Sequence, residues 1–466
     1  MNTQKKSLNT FLLTGIFIST ILSIRNWPLC AQYGLSSLVM ILVAFAAFLI
    51  PVALVSAELA TGWPEKGGIF SWIREAFGYK WGFAATWFVW ISNVVWYPTI
   101  LAFIGASITY CFSSRLAANP VFLFFMIVIC FWVILYLNLK GTKISGLISS
   151  VCLFLGTIIP GALIILFACI WIFSGHESQM TLSASKIMPK ITGINDLVFF
   201  AGLLLGFSGM EMPAVHVNEV DNPKRNFPRA IFLSSIVIIV LSILGTFSIG
   251  VIIPQENINL VTAPLDAIAF FLNKQNLSWV ISPMVLLIAI GAFGGVSTWV
   301  MGPSKSLLEA AKHCRLPAFV TKTNDKGMPF GIFMIQGVVV TLFSFIFLIM
   351  PDLNSSFWIL TALTSQLYLI GYLFLFTAAI YLRYKRPEVK RKFTVSKSNA
   401  GMWFVCGVGI LSSFFTLMIG FFPPSQISMG SQTFYVSFLI AGIGIFSIIP
   451  FLLSRGHTWS PSEQAS

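Results

Sequence analysis

The chain has 466 residues, of which 57% are hydrophobic and only 9% are charged, and its net charge is +13. A typical soluble domain carries about 25% charged residues, so this composition excludes a soluble globular protein. The seven cysteines include no CxxC pair, which indicates neither a disulfide framework nor a zinc site. The four histidines are dispersed and predict no metal centre: His176, His216, His313 and His457. We expect no cofactor.

Apolar segments of membrane-spanning length follow one another along the chain. A spanning helix needs roughly 20 mainly apolar residues. Twelve segments meet this requirement: 9–34, 36–59, 81–111, 119–139, 146–173, 193–217, 229–253, 277–312, 330–350, 355–384, 401–422 and 432–453. A polar tail (1–8), a basic loop (385–400) and a short second tail (454–466) complete the chain. This pattern predicts an all-α, multi-pass membrane protein with twelve transmembrane helices.

The positions of lysine and arginine predict the orientation. With the N-terminus inside, 23 of the 28 basic residues fall in cytoplasmic segments, four fall in outer segments, and Arg25 lies within the first helix. This positive-inside bias places both termini and the 385–400 loop in the cytoplasm. The same bias explains the positive net charge, because the basic residues form a cytoplasmic face beside anionic lipid. No nucleic-acid partner is therefore expected.

Two predicted helices contain breaks. In the first helix, Arg25 and Asn26 precede Pro28 at membrane depth, and in the sixth, residues 206–213 combine glycines, Glu211 and a proline. Such sequences interrupt helices, and interrupted backbone in a bilayer lines a cavity or is buried in protein. If residues 9–384 form two halves of five helices, each break lies in the first helix of its half. Paired breaks of this kind mark the binding site of an inverted-repeat transporter. The alternative is a pair of simple proline kinks.

The chemistry of these breaks fits an amino acid. Unwound backbone frees N–H groups for a carboxylate and C=O groups for an ammonium, and an amino acid carries both. The candidate substrate-binding residues at the breaks are Ser23, Ile24, Arg25, Asn26, Trp27, Phe207, Ser208 and Gly209.

A family resemblance covers about residues 8–453. GME at 209–211 is followed by HVNEVDNPKRNFPRA at 216–230. Further matching stretches are AELA at 57–60, GGIFSW at 67–72, WGFAA at 81–85, WVMGPS at 299–304, LPAF at 316–319, RPEVKRKF at 386–393 and FFPP at 421–424. In this order and spacing the chain resembles the amino acid–polyamine–organocation (APC) transporter superfamily. It is most similar to the glutamate/GABA antiporter family of acid-resistant bacteria.

The resemblance implies a LeuT-like 5+5 inverted repeat over 9–384, with discontinuous helices 1 and 6, and with helices 11 and 12 (401–453) outside it. It also implies proton-influenced exchange of an acidic amino acid for its decarboxylation product. By position, Glu211 matches a glutamate linked to gating and proton sensing, and Trp299 matches an aromatic residue near the substrate. Tyr368 and Tyr372 match tyrosines that line the substrate path.

The chain departs from this family in two places. The glutamate/GABA antiporters typically carry aromatic and acidic residues before the helix-1 proline, where this chain has Arg25 and Asn26. The family's long C-terminal extension, which plugs the inner mouth at neutral pH, has no counterpart in the residues after 453. We therefore expect no gating by a plug.

Arg25 is the most informative side chain. An arginine at membrane depth is costly and normally faces a cavity or a partner. Three interpretations are open: it binds the side-chain carboxylate of an acidic substrate, it pairs with Glu211 or another acid, or it replaces the sodium ion used by related folds. Glu211 is the candidate for proton sensing, and Glu58 is expected to pair with basic loop residues.

These features predict a secondary active transporter in the bacterial cytoplasmic (inner) membrane. The expected activity is exchange of an acidic amino acid such as glutamate for a related amine or amino acid, with proton-sensitive gating. Alternatives are a proton-coupled permease for neutral or cationic amino acids and a non-transporting amino-acid sensor. The sequence has neither the clustered acid, Ser/His or metal ligands of an enzyme nor the filter loop of a channel. The expected partners are amino-acid substrates, protons and membrane lipid, and the oligomeric state is not predicted.

Overall fold

The computed structural model describes residues 9–64, 68–113, 116, 119–141, 152, 154–213, 220–313, 316–425 and 427–454. Within these ranges the regular structure is helical, with no β-strand. The predicted tail 1–8 and all but the first residue of the tail 454–466 lie outside the described residues. So do His216, His457, the start of the predicted helix 146–173 and the end of the predicted helix 193–217.

The helices follow the apolar segments. In chain order they are α1 (Thr10–Ile21), α2 (Trp27–Ala31), α3 (Ser37–Ala44), α4 (Ile50–Gly62), α5 (Ile69–Phe77), α6 (Tyr79–Tyr110), α7 (Pro120–Leu139), α8 (Ile159–Phe173), α9 (Phe200–Gly206), α10 (Pro223–Ile252), α11 (Ala263–Lys274), α12 (Ile281–His313), α13 (Ala318–Thr321), α14 (Phe330–Ser344), α15 (Ile346–Ile349), α16 (Leu353–Lys385), α17 (Asn399–Ile419) and α18 (Gln432–Leu453). A π-helical turn, Phe45–Leu49, joins α3 to α4, and another, Phe154–Ile158, leads into α8.

The prediction of an all-α membrane protein is confirmed. Among the described residues, ten helical segments are long and apolar enough to cross a membrane. The pair Thr10–Ile21 and Ile24–Ala31, bent by 40°, makes an eleventh if it is counted as one span. The predicted sixth helix, 193–217, is represented by the shorter apolar helix Ile194–Gly206. Each of the twelve predicted segments therefore contains helix; among the described residues ten or eleven spans meet the length and hydropathy requirement, and the number twelve stays a prediction.

The helices differ in their distance from the centre. In the most apolar stretch of each helix, 94% of the residues are buried in α6 and 83% in α16, but only 11% in α18. Because α6 and α16 are surrounded by protein, their polar side chains face other helices rather than lipid. Both helices contribute residues to the wall of the site described below.

Two helices longer than a single turn were not expected from the sequence; the single turn α13 also lies between predicted spans. Helix α5 lies between the second and third predicted spans, and α11 lies between the seventh and eighth. Both are too short to cross a bilayer, so a search for apolar stretches of membrane-spanning length misses them. Gly68 and Gly78, with φ angles of 53° and 92°, allow the sharp turns at the two ends of α5.

The basic segment 385–400 is tied to the end of α4 by a buried carboxylate. Glu58 is 1% exposed, accepts a hydrogen bond from Arg383 Nη2 at 2.6 Å, and lies 3.3 Å from Arg391 Nε. The Val395 N–H also donates to Glu58, at 2.8 Å. The expected pairing of Glu58 with basic loop residues is confirmed, and it fixes the segment against α4 and α16.

We predict that Glu58→Gln lowers stability by about 3–5 kcal/mol, because it leaves two buried guanidinium groups without their counter-charge. The matched control is Glu75→Gln. The Glu75 carboxylate lies 2.7 Å from Arg386 Nε, and the Arg386 side chain is 36% exposed. A pair of this kind contributes about 0–1 kcal/mol. Thermal unfolding of both variants in detergent would measure the difference, and equal losses would contradict a special role for Glu58.

Candidate functional site

The first break lies between α1 and α2. Helix α1 ends at Ile21, and Leu22 and Ser23 are extended, with φ/ψ of −69°/118° and −142°/126°. A 3₁₀ turn, Ile24–Asn26, then leads into α2, where Pro28 occupies the first turn. Proline fits the start of a helix because its missing N–H would have no intrahelical partner there. The expected interruption of the first helix is therefore present, two residues before Arg25.

The second break follows α9. The helix ends at Gly206, the Ser208 hydroxyl donates to the Leu204 carbonyl at 3.1 Å, and Gly209 has a φ angle of 114°. Only glycine adopts this backbone conformation without strain. The Gly209 N–H, freed from the helix, donates to the Tyr372 hydroxyl at 2.9 Å.

Glycines bring the two breaks together. A Cβ atom on Gly206 would lie 3.2 Å from Asn26 Nδ2, and one on Gly209 would lie 3.4 Å from the Thr20 carbonyl oxygen. A side chain at Gly202 would collide with Leu29. The absence of side chains at these positions therefore allows the close approach of the second break to the first without displacement of Asn26 or Leu29.

A cavity of about 120 Å³ lies between the breaks and the central helices. A buried water needs roughly 10–15 Å³ of such volume, so the cavity has room for about ten waters or one small solute. Its wall contains Ser19, Thr20, Ile21, Leu22, Ser23, Arg25, Asn26, Leu29, Asn93, Trp96, Ile100, Thr157, Gly202, Leu205, Gly206, Ser208, Gly291, Ala292, Gly295, Val296, Trp299, Phe357, Thr361, Thr364 and Tyr368. Arg25 is the one charged side chain among these described wall residues.

Arg25 is held by uncharged groups. It is 5% exposed, and its Nη1 donates to the Thr99 hydroxyl at 2.8 Å. Its guanidinium carbon lies 4.9 Å from the centre of the Trp96 ring and 5.5 Å from that of Phe357, within the range of cation–π attraction. No carboxylate in the described part of the chain pairs with it, and its Nε has no hydrogen-bond acceptor. The alternative of an Arg25–Glu211 pair is therefore not found in this conformation.

Glu211 is held by two tyrosines instead. The Tyr368 and Tyr372 hydroxyls each donate to one of its carboxyl oxygens at 2.7 Å. Both tyrosines lie one helical turn apart on α16, so a single face of that helix supplies both donors. Tyr368 also lies on the cavity wall, whereas Glu211 lies behind it and borders a separate cavity of about 30 Å³ together with Gly68 and Ser306.

The expected substrate-binding residues divide into two groups. Six line the cavity: Ser23, Arg25, Asn26, Ser208, Trp299 and Tyr368. Five lie off its wall: Ile24, Trp27, Phe207, Gly209 and Tyr372. The Trp27 indole packs where a Cβ on Gly245 would lie, Phe207 borders a cavity of about 20 Å³, and Gly209 lies behind Trp299.

The sequence analysis did not single out several wall residues. Asn93 and Trp96 lie one turn apart on α6, and Phe357, Thr361 and Thr364 recur at helical spacing on α16. A polar residue such as Asn93 inside an apolar span is a usable signal, because a buried amide needs a partner or a cavity. Phe357 carries no such signal.

The described residues include no group of three His, Cys, Asp or Glu side chains that could hold a metal ion. The chemistry that the cavity offers is therefore recognition by one guanidinium, hydroxyl and amide groups, aromatic faces and freed backbone.

Comparison with known proteins places these features in a family. The family model described as amino acid permease matches residues 8–446. An uncharacterized transporter of Legionella pneumophila is 39% identical over 457 residues, which cover 98% of both chains. The glutamate/gamma-aminobutyrate antiporter of Lactococcus lactis is 32% identical over 468 residues, 98% of this chain and 92% of the relative. A probable agmatine/putrescine antiporter of the same species is 27% identical over 374 residues, 79% of this chain and 78% of the relative.

We predict that Tyr372→Phe destabilises the protein more than Tyr368→Phe. Each change removes one hydrogen bond to Glu211, but only Tyr372 also accepts the Gly209 N–H. Leaving that buried donor unpaired adds about 1–3 kcal/mol. Thermal unfolding of the two variants in detergent would show the order, and a greater loss for Tyr368→Phe would contradict it.

Proposed function

Because the chain belongs to the amino acid permease family, we propose that it exchanges an acidic amino acid such as glutamate for a related amine or amino acid. The chain is a membrane transporter and not an enzyme. The relatives described as antiporters are transporters too. The acidic cargo is the specific part of the proposal.

The positive charge of the cavity wall carries the proposal. Arg25 is the one charged side chain among the described wall residues. At neutral pH glutamate and aspartate carry one net negative charge, so either would neutralise the wall when bound. A guanidinium also matches a carboxylate in shape, since its planar N–H donors can meet two oxygens at once.

The helix breaks offer contacts for the rest of an amino acid. Leu22 and Ser23 are extended and lie on the wall beside Thr20 and Ser208. Carbonyl groups at the end of α1 lack the helical partners of an unbroken helix and can receive an ammonium. We propose that these groups hold the zwitterionic end while Arg25 holds the side-chain carboxylate.

A cationic cargo is the second candidate, since one relative is described as a probable agmatine/putrescine antiporter. A diamine would meet Arg25 as a like charge. The described wall residues offer no carboxylate to offset this repulsion, because Glu211 lies behind Tyr368. The charge distribution therefore favours the acidic cargo.

The architecture that we propose is LeuT-like. Residues 9–384 would form two inverted halves of five helices, with 401–453 as two outer helices. The basic segment 385–400 and both termini would face the cytoplasm of a bacterium, in keeping with the positive-inside bias. Broken helices at the start of both halves support this arrangement.

We predict that Arg25→Ala lowers uptake of glutamate and aspartate selectively. Loss of a hydrogen bond to a charged group weakens binding by about 1.5–3 kcal/mol, or roughly ten- to a hundredfold in affinity. Uptake of labelled glutamate, aspartate, leucine and lysine into proteoliposomes would measure it. Counterflow with internal unlabelled glutamate would show that the activity is exchange.

Two further variants control this measurement. Arg229→Ala removes an exposed arginine on α10 and should leave all four rates unchanged. Arg25→Lys keeps the charge but loses the planar fork, so it should restore acidic uptake only in part. An equal loss for all four amino acids in Arg25→Ala would disprove the carboxylate contact.

We propose Glu211 as the proton-sensing and gating residue. It joins the broken sixth helix to Tyr368 and Tyr372 on α16, so a change in its charge would alter contacts between two cavity-forming elements. Glu211→Gln, a neutral analogue, should hold exchange near the rate that the wild type shows at low pH. Rates measured in proteoliposomes from about pH 4.5 to 7.5 would test it, in the range where carboxyl and imidazole groups titrate. An unaltered pH profile would exclude proton sensing by this residue.

A further inference from the structure

The guanidinium of Arg25 has no counter-charge in the described part of the chain. Arginine keeps its positive charge in proteins. Glu211, the buried acid at the second break, receives hydrogen bonds from Tyr368 and Tyr372 instead. An isolated charge at membrane depth therefore faces a cavity whose described wall carries no negative side chain.

The groups around Arg25 position it without neutralising it. Thr99 accepts from Nη1 and donates its own hydrogen to the Trp96 carbonyl at 2.8 Å, so its lone pair is turned to the guanidinium. Trp96 and Phe357 attract the charge through their rings. Arg25 lines the cavity, and among the described residues its guanidinium donates only to Thr99, through Nη1, so further N–H donors remain for a ligand.

We propose that Arg25 forms a binding site for a small monovalent anion, with chloride as the expected occupant when no substrate is present. This site rests on the proposed function, since the side-chain carboxylate of the substrate would displace the anion. The wall then holds one negative charge against Arg25 in both the empty and the loaded carrier. Neither state exposes an uncompensated charge to the low-dielectric interior during the conformational change.

The size and charge of the cavity favour a small monovalent anion. One positive charge is balanced by one negative charge, whereas sulfate would leave the site net negative. Chloride is smaller than the amino acid that the same cavity is proposed to hold, so it fits there together with part of its water. Chloride and acetate share the required chemistry, so both belong in the test.

The test uses the purified full-length protein in detergent. Thermal stability is measured in sodium chloride, sodium acetate and sodium lactobionate, the bulky reference anion, at equal ionic strength. Binding of L-glutamate is then titrated in mixtures of chloride and lactobionate. Chloride should raise the unfolding temperature. If chloride binds with a Kd of about 50 mM, competition should also raise the apparent Kd of glutamate about threefold at roughly 100 mM chloride.

Variants connect the effect to Arg25. Arg25→Gln should lose both chloride effects, and the control Arg229→Gln should keep both. If Arg25→Gln does not fold, the wild-type titration still decides, because competition requires the apparent Kd of glutamate to rise linearly with chloride without saturating. Acetate should act like chloride, and an effect of chloride alone would restrict the site to halides.

The outcomes separate this site from the acidic cargo. If glutamate binds through Arg25 while chloride changes neither stability nor affinity, the anion site is wrong and the proposed cargo stands. If chloride stabilises the wild type through Arg25 but only neutral amino acids bind, the anion site stands and the acidic cargo is wrong. A chloride effect of equal size in Arg25→Gln would be a general salt effect and would overturn the site.

Discussion

The need to satisfy backbone hydrogen bonds away from water governs this structure. A membrane helix satisfies its own N–H and C=O groups, and a break leaves some of them without partners. Here one freed group, the Gly209 N–H, receives a side-chain partner from α16, while the extended residues Leu22 and Ser23 line a cavity. The breaks are tolerated because they are enclosed by protein. The same enclosure creates a small polar space inside an otherwise apolar bundle.

Helix α16 connects this space to the basic segment 385–400. Tyr368 and Tyr372 bind Glu211 in the second break, and Arg383, near the end of the same helix, binds Glu58 on α4. Tyr368 and Arg383 are 15 residues apart, about 22 Å along a helix. A shift of α16 along its axis would strain both attachments together. The helix is therefore suited to transmit a change at Glu211 to the far end of the bundle.

The sequence predicts the membrane helices and their breaks, because both depend on residue composition. It does not predict which side chains face the cavity. A membrane helix requires a long run of apolar residues, and a break requires residues such as Pro28 and Gly209. Both can therefore be predicted from the sequence. Which side chains face the cavity depends on the rotation of short segments. Trp27, four residues after the extended Ser23, packs against Gly245 on α10 instead of facing the cavity, and no local pattern around Trp27 indicates that contact. Phe357 and Trp96 are indistinguishable from packing aromatics until their distances from Arg25 are known.

The position of Arg25 links charge to cargo. Had it paired with Glu211, the two charges would cancel, and the cavity would show no preference for the charge of its ligand. Its bond to the neutral Thr99 leaves the positive charge available, and the bonds of Tyr368 and Tyr372 keep Glu211 in separate contacts. A proton on Glu211 would then affect the second break and α16 without removing the charge that we propose selects the ligand. Under the proposed roles, separation of the two ionisable groups would allow Arg25 to determine what binds while Glu211 determines when the carrier moves.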